Sequence, residues 1–269
     1  MPSNALTPAP RIGIFDSGLG GLSVLKAVHR LCPAHRLLYV ADSAHAPYGE
    51  RGDAFVLERS EAIAAFLLKQ EAQVLVVACN TATAAAIAHL RAHYPHVPIV
   101  GVEPGIKPAA ALSPSGRIGV MATTGTLHSE KFRLLAQAHA AHVQLALQPC
   151  PGLAAAIEGG DAEAQTVVSL VQRYCEPLRE AGVDTVVLGC THYPFVARAI
   201  QAALGSDVRL IDTSEAVARR VHALSPAPPT TEGPSTAPRL WTTGTQATLR
   251  SFAQRWLDFE FEVAETTPA

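Results

Sequence analysis

The sequence predicts an α/β protein made of two related halves. Three observations carry that reading. Short β-branched runs alternate with amphipathic helical stretches, a cysteine at the end of a strand occurs twice, and an Arg-Ile-Gly strand occurs twice upstream of it. Alternation of this kind reads as βαβ units on a parallel sheet, and right-handed crossovers put helices on both of its faces.

The first series of strands falls at residues 12–15, 37–41, 74–78 and 99–101, and the second at 117–121, 143–147, 185–188 and 208–211. Helical patterns such as 55–70 and 162–181 lie between them. Residues 225–238 (SPAPPTTEGPSTAP) supply no core residue and read as an exposed, mobile loop. One more strand (240–242) and a helix (246–257) follow, and the first ten residues are expected to be loosely ordered.

The repeat is measurable. Val76-Val77-Ala78-Cys79 matches Val187-Leu188-Gly189-Cys190 at a separation of 190 − 79 = 111 residues, and Arg11-Ile12-Gly13 matches Arg117-Ile118-Gly119 at 118 − 12 = 106. The two offsets agree within a loop insertion, so each half presents one cysteine at the same place.

Composition narrows the class. The 269 residues are 48% apolar and 16% charged, enough for a full core and unlike a disordered chain or coiled coil. A net charge of −2 gives no basic excess for nucleic acid. No run approaches the roughly 20 apolar residues of a membrane span, and the start carries no secretory signal. Five cysteines without a Cys-x-x-Cys pair argue against a disulfide framework and a zinc site. The expectation is a reduced, cytoplasmic protein that needs no metal and no pyridoxal phosphate, since no lysine stands in a comparable strand-end motif.

Ligands of open parallel sheets bind beyond the carboxyl ends of the strands, where Cys79 and Cys190 both fall. Asn80-Thr81 and Thr191 follow them as candidate helix caps. A thiol at a helix N-terminus is expected to have a lowered pKa. A buried structural cysteine is the plain reading of either one alone; two in equivalent positions point instead to thiols on opposite sides of one small ligand. Inversion of a stereocentre by proton transfer needs that arrangement, one base removing a proton from one face and an acid returning it on the other.

Other residues support such a site. Asp16-Ser17-Gly18 ends the first strand, where Asp16 could serve Cys79 or simply form an Asx turn. His192 follows Cys190 closely and can relay protons near neutral pH. Thr123 and Thr126 open a helix and could hold a carboxylate. Tyr48, beside Gly49, either packs or closes over a ligand. On physical grounds alone, Glu158 at a helix-to-loop boundary reads as solvated.

Taken in order, Gly13-Ile14-Phe15-Asp16-Ser17-Gly18-x-Gly20-Gly21, Asp42-x-x-x-x-Pro47-Tyr48-Gly49, Cys79-Asn80-Thr81-Ala82, Gly101-Val102-x-Pro104 and Leu188-Gly189-Cys190-Thr191-His192-Tyr193-Pro194 resemble the glutamate racemases of the aspartate/glutamate racemase superfamily. The resemblance runs from about residue 11 to 220. It implies two pseudo-symmetric three-layer α/β domains with mainly parallel sheets and the active site in the cleft between them. The first would comprise residues 1–103 with 213–269 and the second 104–212. It implies cofactor-independent interconversion of L- and D-glutamate for peptidoglycan. Cys79 would handle the proton of the D-isomer with help from Asp16, and Cys190 that of the L-isomer with help from Glu158 and His192. Substrate contacts would come from Asp16, Ser17, Tyr48, Gly49, Asn80, Thr81, Thr123, Thr126, Thr191 and His192. Relatives are often dimers, so a homodimer is an arrangement the resemblance allows. Some relatives carry a longer N-terminal extension linked to activation by a cell-wall precursor; only about ten residues precede the first strand here, which argues against that mode. Cys32, Cys150 and Cys175 match no motif of the family.

Three other readings compete. Gly18-Leu19-Gly20-Gly21 after a strand, with Asp42 farther on, imitates a nucleotide-binding turn, although Ser23 replaces the third glycine. Cys79 with His192 could form a nucleophile and base of a hydrolase or transferase, which leaves Cys190 without a role. A racemase of another acidic amino acid such as aspartate is the third; Asp16-Ser17 favours glutamate.

Overall fold

The computed structural model describes residues 9–227 and 237–268. The first half contains β1 (Arg11–Asp16), β2 (Arg36–Ala41), β3 (Val74–Val77) and β4 (Ile99–Gly101). The second contains β5 (Arg117–Ala122), β6 (Gln144–Pro149), β7 (Thr185–Gly189) and β8 (Arg209–Ile211). The chain then returns to the first sheet with β9 (Arg239–Thr242) and β10 (Glu262–Glu265). The sheet orders are β10-β9-β2-β1-β3-β4 and β6-β5-β7-β8, and every described strand pair is parallel.

The order β2-β1-β3-β4 reappears as β6-β5-β7-β8, and the register reappears with it. Ile12 pairs with Val74 and Ile118 with Thr185, which are the 106- and 111-residue offsets of the sequence repeat. Leu75 pairs with Ile99 and Val186 with Leu210, each again 111 residues on. Cys79 and Cys190 therefore leave their sheets at equivalent points, beyond the carboxyl ends of β3 and β7.

The apolar runs are uninterrupted because both faces of each sheet are covered. In β3, Val74 and Val76 point into one buried cluster while Leu75 and Val77 point into another. In β7, Val186 and Leu188 join that first cluster and Val187 faces a third. One apolar core thus runs through both halves and joins them into a single body.

The helix Asn80–His93 is tied to the sheet by a polar pin. Buried Thr83 donates its hydroxyl to the Val77 carbonyl at 3.1 Å and accepts the Val102 amide at 3.1 Å. That pin sets the exit of β4 against the start of the helix.

β10 was not among the sequence expectations: Glu-Val-Ala-Glu is a half-exposed edge strand with little alternating signal. Residues 1–8, and residues 228–236 of the expected mobile loop, lie outside the described residues. The loop's first residues are anchored rather than free. Ser225 Oγ donates to the Val221 carbonyl at 2.8 Å, and His35 Nε2 donates to the Pro226 carbonyl at 3.1 Å. No helix among the described residues is long and apolar enough to cross a membrane.

Thr83→Val keeps the shape and removes both bonds of the hydroxyl, leaving the Val102 amide on the Val77 carbonyl alone at 3.2 Å. Urea unfolding should show a loss of about 0.5–1.5 kcal/mol.

Candidate active site

The carboxyl ends of both sheets face one cavity of about 200 Å³, below the roughly 300–1,000 Å³ of pockets for drug-sized molecules. The first half lines it with Ser17, Ser43, Tyr48, Gly49, Cys79, Asn80 and Thr81, and the second with Thr123, Glu158, Cys190, Thr191 and His192 among others. No lysine or arginine is among these residues. An anionic ligand would be held by hydroxyls, amides and the start of the helix Asn80–His93.

Asp16 does not line the cavity; it is fully buried behind it. Its Oδ1 accepts the Ser17 amide at 2.7 Å and the Ser17 hydroxyl at 3.2 Å. Its Oδ2 accepts the Gly21 amide and, from the other half, the Thr191 hydroxyl at 3.1 Å. Cys79 Sγ lies 3.6 Å from Ser17 Oγ, so Asp16 reaches that thiol through Ser17. Burial pushes the Asp16 carboxyl up from the ordinary carboxylate range, partly offset by the positive charge of His192 and by the Cys79 thiol.

Cys79 is itself the N-cap of its helix, a role the sequence reading gave to Asn80-Thr81; its sulfur accepts the Ala82 amide at 3.5 Å. The expected lowering of its pKa is also reversed. Burial, and next the Asp16 carboxylate, push the thiol up, and the amides at the helix start recover only part of that.

Cys190 sits differently. Thr191 and His192 lead into a single 3₁₀ turn, Tyr193–Val196, and not directly into an α-helix. His192 Nδ1 lies 3.5 Å from Cys190 Sγ, and Nε2 lies 2.6 Å from Glu158 Oε1. Glu158 Oε1 also accepts the Leu19 amide at 2.6 Å, so the carboxylate is not the solvated group expected of it. Burial works against a charged His192, but its bonds to Cys190 and Glu158 carry its pKa well above the ordinary value. Burial likewise opposes ionised Glu158, and the bond from His192 outweighs it, leaving the carboxyl below its ordinary value. The Glu158–His192 pair is thus ionic.

The turn at 18–21 explains its glycines. A Cβ on Gly18 would collide with the Glu158 carboxylate, and one on Gly20 with the His192 ring and the Thr191 hydroxyl. The turn resembles a phosphate cradle in sequence only: the amides of Leu19 and Gly21 are spent on Glu158 and Asp16.

Thr123 caps a short helix by accepting the Thr126 amide at 3.2 Å. Its hydroxyl meets that of Thr81 from the first half at 3.1 Å. Thr126 is buried and faces a smaller neighbouring cavity. Tyr48 is buried, and its hydroxyl donates to Asp42 Oδ2 at 2.6 Å. Cys32, Cys150 and Cys175 are buried free thiols.

Sequence reasoning missed two contributors. Ser43, inside the Asp42-to-Gly49 motif, lines the cavity with a buried hydroxyl that has no protein partner, and Asn80 Oδ1 is in the same condition. Arg59 grips Asp42 through both oxygens at 3.0 and 3.1 Å, while His45 and Thr243 bond the same carboxylate at 2.9 Å. Asp42 thereby fixes the segment 43–50 that forms one wall of the cavity. Its spacing from Tyr48 was visible in the sequence; Arg59, a helix turn into the next element, was not.

A family model described as Asp/Glu/Hydantoin racemase matches residues 12–221. The chain is 50% identical over 232 residues to glutamate racemase of Pseudomonas paraeruginosa, covering 86% of this chain and 88% of that one. It superposes with a TM-score of 0.85 and 31% identity on Escherichia coli glutamate racemase in complex with L-glutamate and the activator UDP-MurNAc-ala, over 96% of this chain and 98% of that chain. Glutamate racemase of Francisella tularensis in complex with D-glutamate gives 0.82 and 26%, over 96% and 97%.

The electrostatics of Asp42 can be checked by unfolding. Burial tends to raise its pKa, but Arg59, Tyr48 and His45 hold it below the ordinary 3.8. Its contribution is complete above about pH 4 and is lost as pH falls through the lowered value. Arg59→Met should cost about 3 kcal/mol at pH 7, the low end for orphaning a buried charge, since three partners remain. That deficit should shrink in urea melts as pH is lowered, because the carboxylate left without Arg59 takes up a proton more readily.

Proposed function

The chain belongs to the Asp/Glu/Hydantoin racemase family, and we propose that it interconverts L- and D-glutamate by exchanging the α-proton between Cys79 and Cys190. The observation that carries this reading is the pair of thiols at equivalent register points of two repeated sheets, both opening on one small cavity. The relatives captured with L- and with D-glutamate support the choice of substrate.

In the L-to-D direction the Cys190 thiolate takes the α-hydrogen as a proton, and the bonding pair stays on the α-carbon. The Cys79 thiol then delivers its proton to the opposite face, and the configuration is inverted. Cys190 ends as the thiol and Cys79 as the thiolate; the reverse reaction exchanges their roles. Glu158 holds His192 as an imidazolium whose Nδ1–H faces Cys190. Asp16 acts on Cys79 through Ser17. The substrate's α-ammonium group would donate to Asn80 Oδ1 and Ser43 Oγ, the two buried polar atoms of the wall that lack a protein partner. Its carboxylates would be held by the hydroxyls of Ser17, Thr81, Thr123 and Thr191 and by the amides at the helix start. Gly49 and Tyr48 shape the far wall, and Thr126 supports Thr81 and Thr123 from behind.

This reading makes the enzyme cofactor-independent. It works in the cytoplasm and supplies D-glutamate for peptidoglycan. Its two domains would be residues 1–103 with 213–269 and residues 104–212, with the ligand between them, and a homodimer is compatible with it.

Incubation of the protein with L-glutamate in D₂O, without added cofactor, should yield D-glutamate carrying deuterium at the α-carbon, with L-aspartate inert in parallel. Cys79→Ser and Cys190→Ser should each reduce racemisation by at least about 10²-fold, the scale of general acid–base catalysis; full activity in either would overturn the two-thiol mechanism. Glu158→Gln removes a negative charge that raises the His192 pKa. The limb of the pH profile governed by His192, followed as kcat/KM in the L-to-D direction, should therefore move to lower pH.

A further inference from the structure

Away from the cavity, two helices lie side by side in the first half, Asp53–Lys69 and Asn80–His93. Near the end of the second, His89 and His93 stand one turn apart and so share a face. Their rings are nearly parallel, with centroids 5.9 Å apart and an interplanar angle of 14°. Glu61 reaches across from the first helix and places Oε1 2.5 Å from His89 Nε2. Tyr94 packs edge-on against the His93 ring at 4.6 Å and restricts its swing. One ligating atom from each of Glu61, His89 and His93 lies within 4.8 Å of the other two.

We propose that Glu61, His89 and His93 form a surface site for a divalent transition-metal ion of the zinc type. Two imidazoles and a carboxylate suit zinc, cobalt, nickel or copper and not the all-oxygen preferences of calcium or magnesium. Tetrahedral bonds of about 2.0–2.2 Å need ligand atoms roughly 3.3 Å apart. Small rotations reach that spacing: Glu61 and His89, both half-exposed, open from 2.5 Å, and the His93 ring keeps its place against Tyr94 within 4.8 Å of both. Water would take the fourth position. In the metal-bound form the His89 proton that now faces Glu61 is replaced by the ion, and the carboxylate becomes a ligand. The ion would add a clamp at the exposed edge of two helices that already pack through buried Ile63, Leu67, Ile87 and Leu90. His89 lies ten residues along its helix from Cys79, about 15 Å at 1.5 Å per residue, so the site is separate from the proton-transfer thiols.

The thiols are the natural competitors for any soft metal ion, and cobalt(II) distinguishes the two cases. The full chain, kept reduced with a phosphine, is titrated with cobalt(II) and then with zinc as displacer. The expected result is one ion per chain, visible ligand-field bands without a thiolate-to-cobalt charge-transfer band, and a Tm that rises with zinc concentration. His89→Ala and His93→Ala should each weaken binding by at least about tenfold and abolish the rise in Tm, while Cys79→Ser binds as the parent does. These histidines are exposed, and both variants should keep racemase activity, which confirms that they are folded. Absence of binding, unchanged affinity in both histidine variants, or a charge-transfer band that disappears in Cys79→Ser or Cys190→Ser would each overturn the site.

Discussion

A single buried carboxylate, Asp16, is the constraint around which the rest of the centre is arranged. It ends β1, closes the 17–21 turn through two backbone amides, and takes a hydroxyl bond from Thr191 of the other half. Because the turn is held, its glycines lie close enough for Glu158 and His192 to reach over it, and Leu19 can offer its amide to Glu158. A second stitch, the Ser23 hydroxyl on the Thr191 carbonyl at 3.0 Å, fixes the same approach. The two halves are therefore registered against one another by short polar bonds at the cavity floor and by a shared apolar core behind it.

The scaffold repeats, but the chemistry around each thiol does not. Cys79 faces a hydroxyl backed by a carboxylate and caps a four-turn helix; Cys190 faces an imidazolium held by Glu158 and precedes only a 3₁₀ turn. At Cys79, burial in a low-dielectric site and a neighbouring carboxylate outweigh the favourable field of the helix start. Helix dipoles offer fractions of a kcal/mol to about 2 kcal/mol, whereas desolvation of a fully buried group can move a pKa by about 3–5 units. Geometric symmetry thus supports electrostatic asymmetry.

Much of this was legible in the chain. The β-branched runs at residues 74–78 and 185–188 announced doubly covered strands, and the offsets of 106 and 111 residues reappear as strand register. The motifs also brought together the residues that line the cavity. What could not be read were properties set by distant partners. Glu158 looks solvated because Leu19, its amide donor, is 139 residues away, and the environment of Cys79 depends on burial that no local pattern encodes. Arg59 was missed because an arginine in a helix ordinarily faces water. β10 was missed because Glu262 to Glu265 supplies just one small apolar residue to each face, Val263 to one cluster and Ala264 to the other.

The return of the chain to its first sheet has a consequence for biosynthesis. All of β5 to β8 lies within residues 117–211, so the four-stranded sheet can close as soon as that stretch has left the ribosome. The six-stranded sheet cannot. Its β2 edge is paired by β9 and then β10, which follow the whole of the four-stranded sheet in the chain. Until then, β2 presents the bare hydrogen-bonding rim of an otherwise apolar strand, the kind of edge that recruits neighbouring chains. The nascent chain consequently carries an open edge until residues 239–265 have emerged, and β9 and β10 act as the built-in cover for that edge.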